Sequence, residues 1–422
     1  MKPNILLLQC HDLGNHLACY PGNSACTPNL DWLATEGTVF EQHFAASPVC
    51  NTSQEAMLSG LVPHRNRLVT HDSNDHRKVN PEVRFLPYLL QSVDYNTAFF
   101  GSWRGDDEFL NYGIEQGDKD SRCDRIATKV TRYLQSHLRE QPKKKPFFLM
   151  VNFELPYYAF TDPWSDVQRQ EEMILPGHLE DKPEVRAEMA QFYSGISHMD
   201  AAVGQVLDAL WECGFDESTL VIFTSDCGIS MPIAKGTLYD PGIKIPLIIC
   251  WYKRLPSDQR CDALTSSMDL LPTIMEAIGE PERIPKDLDG HSLWPFINRG
   301  EDVGHDYIFA EWYSFYGPIR AIRTTQYKLI RNFEPGVGLQ IIADMLHMPA
   351  RDAMWELLCN WPRPEIELYD LLQDPWERNN LAGHLGAVEI KRVLISELYE
   401  WLSCTDDPIL NRYAWSVDQG RW

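Results

Sequence analysis

Short apolar runs alternate with longer amphipathic stretches from Asn4 to Trp251. Segments such as NILLLQ at Asn4–Gln9 and PFFLMVNF at Pro146–Phe153 have strand length and almost no polar face. A strand of that kind has to be covered on both sides. Helices that cross between parallel strands supply that cover, so the pattern predicts βαβ units around a largely parallel sheet. Further strands are expected at Val39–Phe44, Asn96–Phe100, Thr219–Thr224 and Ile245–Trp251. Helical periodicity marks Pro28–Glu36, with proline at its start, then Glu82–Ser92, Arg125–Arg139 and Pro183–Glu212.

Near residue 300 the pattern changes. Tyr307–Glu311, Ile319–Arg323 and Tyr327–Asn332 are short, β-like and separated by turn residues. They predict a small antiparallel sheet, and Ala387–Leu402 a closing helix. A boundary at Asn298–Gly304 divides the chain into a large α/β domain, 1–300, and a smaller α+β subdomain, 301–422.

Charge narrows the function classes. Sixty acidic residues against 38 basic ones leave a formal net charge of −22. Nucleic-acid binding depends on neutralising phosphates with Lys and Arg, so it is not expected. An anionic ester would meet a repulsive overall field, and local cations would have to draw it in. No apolar run reaches the length of a membrane span, and the first residues, MKPNILLLQCHD, lack the features of a signal peptide. Eleven scattered cysteines form no CxxC pair and read as free thiols. A cytoplasmic location is therefore expected, without a membrane partner. Homo-oligomerisation stays open.

Open α/β sheets bind ligands outside the carboxyl ends of their strands. Asp12, in QCHDLG, and Asp226, in VIFTSDCGIS, both fall there. Together they make an oxygen-rich site for a hard divalent cation. Each alone is an ordinary turn-forming or helix-capping aspartate. In the window SPVCNTSQEAMLSG, residues 47–60, Thr52 and Glu55 form a capping-box pattern that predicts a helix from Ser53. Cys50 then lies at the start of that helix. Backbone N–H groups there favour a thiolate or a docked anion. The alternative is a small thiol buried where the helix begins.

Several segments together resemble the sulfatases of the alkaline-phosphatase superfamily. They are the opening PNILLLQCHDLGNHLACYPGNSACTPNLDWLATEGTVF, the Cys50–Gly60 window, VIFTSDCG, AKGTLYDPGIKIPLIICW at 234–251, SSMDLLPTIMEAIG, RAIRTTQYKLIRNF and ELYDLLQDPWERNNLAG. They occur in the family's order along nearly the whole chain. The flavour is nearest to N-sulfoglucosamine sulfohydrolase-like members. The resemblance implies a large mixed, mostly parallel sheet flanked by helices, with a smaller C-terminal antiparallel sheet. It implies hydrolysis of a small anionic ester, such as a sulfated sugar. Cys50 matches the cysteine that the family oxidises to formylglycine, whose hydrate attacks sulfur. Asp12 and Asp226 match ligands of one divalent ion, usually calcium. Lys235 matches the lysine that contacts the sulfate or the leaving oxygen.

The chain departs from the family pattern around that centre. Thr52 stands in place of proline and Gln54 in place of the signature arginine. His11 replaces the first aspartate of a pair, and Cys227 an asparagine or histidine. Ser102 and Arg104 replace the lysine and histidine of a Gly-Lys-Trp-His element, and Glu154 the histidine of His-x-Pro. Arg104 returns one cation to the catalytic set. Glu154, Thr52 and Ser53 are expected to line the substrate. His11, Asp12, Asp226 and Cys227 are a softer ligand set, which turns the metal expectation toward Zn²⁺ or Mn²⁺. The alternatives are a phosphate-ester or phosphodiester hydrolase, with the thiolate, Thr52 or Ser53 as nucleophile, and an inactive protein of the same fold.

Overall fold

A computed structural model describes residues 2–23, 25–66, 82–103, 109–139, 145–157 and 173–412. Its main sheet contains β1 (Asn4–Cys10), β2 (Thr38–Phe44), β3 (Asn96–Gly101), β4 (Gln116–Lys119), β5 (Phe147–Phe153), β6 (Thr219–Ser225), β7 (Leu247–Cys250) and β8 (Gln259–Ser266). The spatial order is β4-β3-β5-β1-β6-β7-β2-β8. β1 lies centrally and pairs in parallel with β5 and β6. Every residue of these three strands is buried.

Strand alternation divides their side chains between two layers. Leu6, Leu8 and Val151 face one core, which holds Val185, Met189 and Ile196 of the Pro183–Glu212 helix and Ile126 and Val130 of the Cys123–Arg139 helix. Ile5, Leu7 and Met150 face the other, with Leu271 and Ile274 of the Leu270–Ala277 helix. Full burial of each such aliphatic side chain contributes about 1.5–3 kcal/mol. Only a strand apolar on both faces can serve both layers, as its sequence predicts.

β7 runs antiparallel to both of its neighbours. The connection from β6 contains only the four-residue Asp240–Ile243 helix. A parallel crossover needs a dozen or more residues, usually helical, to return to the same end of the sheet. Here the chain stays at one end and comes back reversed. β4 is polar throughout and occupies the sheet edge, so periodicity does not announce it. The expected helix at Glu82–Ser92 forms only over Leu86–Gln91. Pro87 explains the late start, because proline is tolerated in the first turn of a helix and not inside it.

The second sheet has the order β14-β11-β10-β9 and is antiparallel. It comprises β9 (Ile308–Ser314), β10 (Gly317–Arg323), β11 (Tyr327–Asn332) and β14 (Ile366–Asp370). The short ribbon of β12 (Gly336–Val337) and β13 (Pro362–Arg363) lies between the last two in sequence. One face packs Ile322, Leu329 and Leu368 against Leu394, Leu398 and Leu402 of the closing Val388–Cys404 helix. Ala310, Trp312, Ala321 and Ile330 belong instead to the core shared with the main sheet. Among the described residues, no helix is long and apolar enough to cross a membrane.

Candidate active site

The site forms where β1 and β6 end side by side. His11 N–H still donates to Phe153 O at 3.1 Å. Asp12 then turns the chain through a left-handed conformation, φ +54°, which aspartate tolerates better than most residues. Its N–H donates to Asp226 Oδ1 at 2.9 Å, and Leu13 N–H donates to Ser225 Oγ at 3.1 Å. Gly14 N–H reaches Cys227 O at 3.1 Å. These bonds lock the two strand-end loops together, so the two carboxylates converge. His11 Nδ1 binds Asp226 Oδ2 in a buried pair.

Cys50 is the first residue of the Cys50–Ser59 helix, whose N-cap is Val49 with no side-chain cap. The Thr52–Glu55 capping box therefore does not form, and the helix begins three residues earlier than Ser53. Tertiary contacts fix its start: Ala45 N–H donates to Ile243 O at 2.7 Å and Gly236 N–H to Pro48 O at 3.1 Å. Glu55 is instead engaged by Tyr112, whose hydroxyl donates to it at 2.8 Å.

Cys50 Sγ lies 3.8 Å and Cys227 Sγ 3.3 Å from Asp12 Oδ1. Donor atoms of Asp12, Cys50, Asp226 and Cys227 all fall within 4.8 Å of one another. Lys235 completes the group, with Nζ 2.5 Å from Asp12 Oδ2 and 2.6 Å from Asp344 Oδ2. Tyr157 donates its hydroxyl to Asp344 Oδ1 at 2.9 Å and sets its ring centroid 5.1 Å from the Lys235 ammonium. The loop that carries Lys235 holds Ile233 at φ +62°, a strained conformation for a β-branched residue.

Burial pushes the Asp12 carboxyl up to about 8, although Lys235 pulls it back. Burial also disfavours the Asp226 carboxylate, but the adjacent His11 outweighs it and holds the group below the usual range. The same pairing raises His11 to about 10 against the effect of burial. A hydrogen bond from Cys227 holds the Cys50 thiol well below its ordinary value, with burial opposing and Lys235 assisting. Burial keeps Cys227 itself protonated, far above the thiol range. The site thus favours a thiolate at Cys50 beside a fixed ammonium, which suits a nucleophile or a metal ligand.

Most of the residues named from sequence meet here, with differences. The sequence places His11 among the metal ligands; its Nδ1 binds Asp226 Oδ2 and orients that carboxylate, and its Nε2 is buried without a hydrogen bond among the described residues. Cys50, expected as nucleophile, also stands within the donor cluster. Thr52 and Ser53 lie on the first turn of the Cys50 helix, and no hydrogen bond joins either hydroxyl to the cluster. Gln54 donates to Gln9 Oε1 at 3.0 Å, so a neutral amide pair fills the signature arginine's position. Glu154 follows β5, and its carbonyl accepts from Tyr157 N–H at 3.1 Å. Arg104 lies outside the described residues. Sequence reasoning missed Asp344. Asp344 belongs to no motif and reaches Lys235 across 109 positions of chain.

The sequence profile of the Sulfatase family matches residues 3–280, and that of the C-terminal part of N-sulphoglucosamine sulphohydrolase matches residues 233–350. The chain is 26% identical to human (Homo sapiens) N-sulphoglucosamine sulphohydrolase over 463 residues, covering 96% of this chain and 91% of that one. Its fold is similar to that of a 2-O GAG sulfatase, with TM-score 0.76 and 20% identity over 97% of this chain and 94% of the other. It is also similar to a phosphonate monoester hydrolase of Agrobacterium radiobacter, with TM-score 0.73 and 18% identity over 96% of each chain. The profile match over about two thirds of the residues places this chain in the sulfatase family of the alkaline-phosphatase superfamily, whose members are sulfuric ester hydrolases.

Proposed function

We propose that the protein hydrolyses a sulfate ester or a sulfamate at Cys50, with a sulfated sugar as the substrate class. The observation that carries this reading is the convergence of Cys50, Asp12, Asp226 and buried Lys235 on one point at the end of the central strands. Cys50 is the nucleophile position. As formylglycine hydrate, one hydroxyl attacks sulfur and the alcohol or amine leaves. The second hydroxyl then collapses to the aldehyde and releases sulfate. As the unconverted thiolate, Cys50 takes the sulfuryl group as S-sulfocysteine while the alcohol or amine leaves, and water then cleaves the Sγ–sulfuryl bond to release sulfate and return the thiol. Lys235 faces the charge that develops on the leaving oxygen, in a dry site where such help is strongest. Its two carboxylate contacts hold it in place beforehand.

The donor set fits a divalent metal, but not calcium best. Ca²⁺ takes six to eight oxygen ligands, and Asp12 with Asp226 provides at most four. The Cys227 thiol in the same cluster suits a softer, four-coordinate ion, so we assign Zn²⁺ to Asp12, Asp226 and Cys227, which leaves Cys50 to act as the nucleophile and one position open to substrate. Such an ion, when bound, polarises sulfuryl oxygens and offsets the carboxylate charge. All eleven cysteines are free, and Cys50 beside Cys227 stays reduced most readily in the cytoplasm, where we place the protein.

The test compares turnover of an aryl sulfate, a glucosamine N-sulfate and an aryl phosphate, together with the mass of the Cys50 peptide. Turnover of a sulfated compound that Cys50→Ala abolishes supports the proposal. Phosphate turnover alone supports the second reading, which rests on the likeness in fold to the phosphonate hydrolase. Inactivity on all three, unaltered by Cys50→Ala, leaves a sulfatase-fold protein without catalysis.

A further inference from the structure

A cavity of about 410 Å³ lies apart from the catalytic cluster and is lined by none of its residues. Its wall includes Asn15, His178, Lys244, Arg323 and Trp376. Three of its polar groups are unmatched by the protein. His178 is 2% exposed, and neither ring nitrogen has a hydrogen bond. Asn15 Oδ1 is likewise buried without one. The Lys244 ammonium has no hydrogen bond or ion pair among the described residues, and burial holds it below the ordinary lysine value. Buried polar groups such as those of His178 and Asn15 are rarely left so, and two of them beside the half-buried Lys244 ammonium point to a polar occupant.

The remaining wall says what kind. Asp240 is already bound by Arg323 at 3.0 Å and by Lys328 at 2.5 Å, so it is not free to take a cation. Lys244, Arg323 and Asp240 leave the wall with one net positive charge, within a chain of net charge −22. Trp376 is 40% exposed and packs its ring against His178, centroids 5.5 Å apart. Its position is built in: a Cβ at Gly177 would stand 2.5 Å from Trp376 Cδ1 and Nε1, so glycine there lets the indole lie flat on the loop. An indole face, an amide oxygen, imidazole nitrogens and one uncommitted ammonium together match a pyranose ring. The ring's C–H face covers the indole, its hydroxyls meet the amide and imidazole, and an acidic substituent meets the ammonium.

We infer that this cavity is a binding site for a sugar ring carrying one carboxylate or sulfate group, with the ring on Trp376 and the anion on Lys244. The site needs no turnover and does not depend on the chemistry at Cys50. Asn15 and Asp12 share the loop after β1, so occupancy here sits on the same strand end as the catalytic carboxylate.

Titration of the full-length protein by ligand-observed NMR tests the assignment, with D-glucuronate, D-glucose 6-sulfate, D-glucose and inorganic sulfate as probes. Saturable binding of the first two is expected, weakened about tenfold or more by Lys244→Met and by Trp376→Ala, a change of at least about 1.4 kcal/mol. Cys50→Ala should leave it unaltered. Trp376 is partly exposed, so its variant keeps the test available if Lys244→Met fails to fold. Glucose binding as tightly as glucuronate removes the anion contact, and sulfate binding as tightly as glucose 6-sulfate removes the sugar contact. Loss of binding in Cys50→Ala, no effect of Trp376→Ala, or no saturable binding of either acidic sugar overturns the assignment.

Discussion

Lys235 Nζ stands 2.5 Å from Asp12 Oδ2, and both side chains are at most 1% exposed. Removing one partner of such a pair strands the other charge in the interior, at a cost of about 3–5 kcal/mol. Lys235→Met is therefore expected to lower the unfolding free energy measured by urea titration by an amount in that range. Adding Asp12→Asn should recover most of it. Independent, additive losses in the double-mutant cycle would show that the pair is not coupled. Turnover should fall about 10²–10³-fold in Lys235→Met, the scale for losing one preorganised charge contact.

Cys227 should decide metal preference. Its Sγ lies 3.3 Å from Asp12 Oδ1, in the place where the family resemblance implies an oxygen or nitrogen donor. Loss of even an outer partner costs a metal site about tenfold or more. Cys227→Asn is expected to reduce zinc retention at least that much and to leave calcium retention unchanged or improved. Equilibrium dialysis with elemental analysis measures both. Equal zinc retention in the two proteins would exclude Cys227 as a ligand.

A second buried cluster sets a pH dependence. His64 Nδ1 meets Glu311 Oε2 at 2.6 Å, and Arg320 bridges Glu311 at 3.3 Å and Asp407 at 2.8 Å. Burial opposes the charged imidazole, but Glu311 outweighs it and raises His64 above its ordinary 6.5. The folded protein then holds this proton more tightly than the unfolded chain. Its contribution to stability is complete below about pH 6.5 and fades as pH rises through the raised value. The difference in urea midpoint between the parent protein and His64→Gln should be largest near pH 5.5 and shrink by pH 9. A constant or growing difference would contradict the pairing.

Gly228 is required by close approach. A Cβ there would meet Pro241 O at 1.9 Å and Gly242 Cα at 2.6 Å, while Gly228 N–H donates to Gly242 O at 2.9 Å. Gly228→Ala should cost about 3 kcal/mol by overpacking and displace Cys227, its chain neighbour. Gly386→Ala, where a Cβ meets nothing within 4 Å, should stay within about 0.5 kcal/mol. Thermal unfolding of both proteins makes the comparison, and similar losses would refute the steric account.

Local pattern alone marked the central strands and the Pro183–Glu212 helix, because burial on two faces or on one stripe leaves its period in the residues themselves. It also located Asp12, Cys50 and Asp226, which sit at strand ends or beside a helix start. The strand order, the reversal of β7 and the edge strand β4 left no such period. They follow from where the chain can cross and which groups remain to be paired. The shift of the helix start to Cys50 has the same origin. Thr52 and Glu55 satisfy a local capping rule, but the Tyr112 hydroxyl takes the Glu55 carboxylate, and the bonds from Gly236 N–H to Pro48 O and from Ala45 N–H to Ile243 O fix the chain just before Cys50.

By itself, then, the sequence determined the fold class, the family and the strand-end positions of Asp12 and Asp226. Tertiary structure decided the partnerships at that point. It gave His11 to Asp226, brought Cys227 to Asp12, and drew Asp344 from a distant segment onto Lys235. Each is a contact between residues more than one hundred positions apart. Short-range periodicity carries no information at that separation, and in a buried site the pairing of charges depends on which groups the fold leaves facing one another.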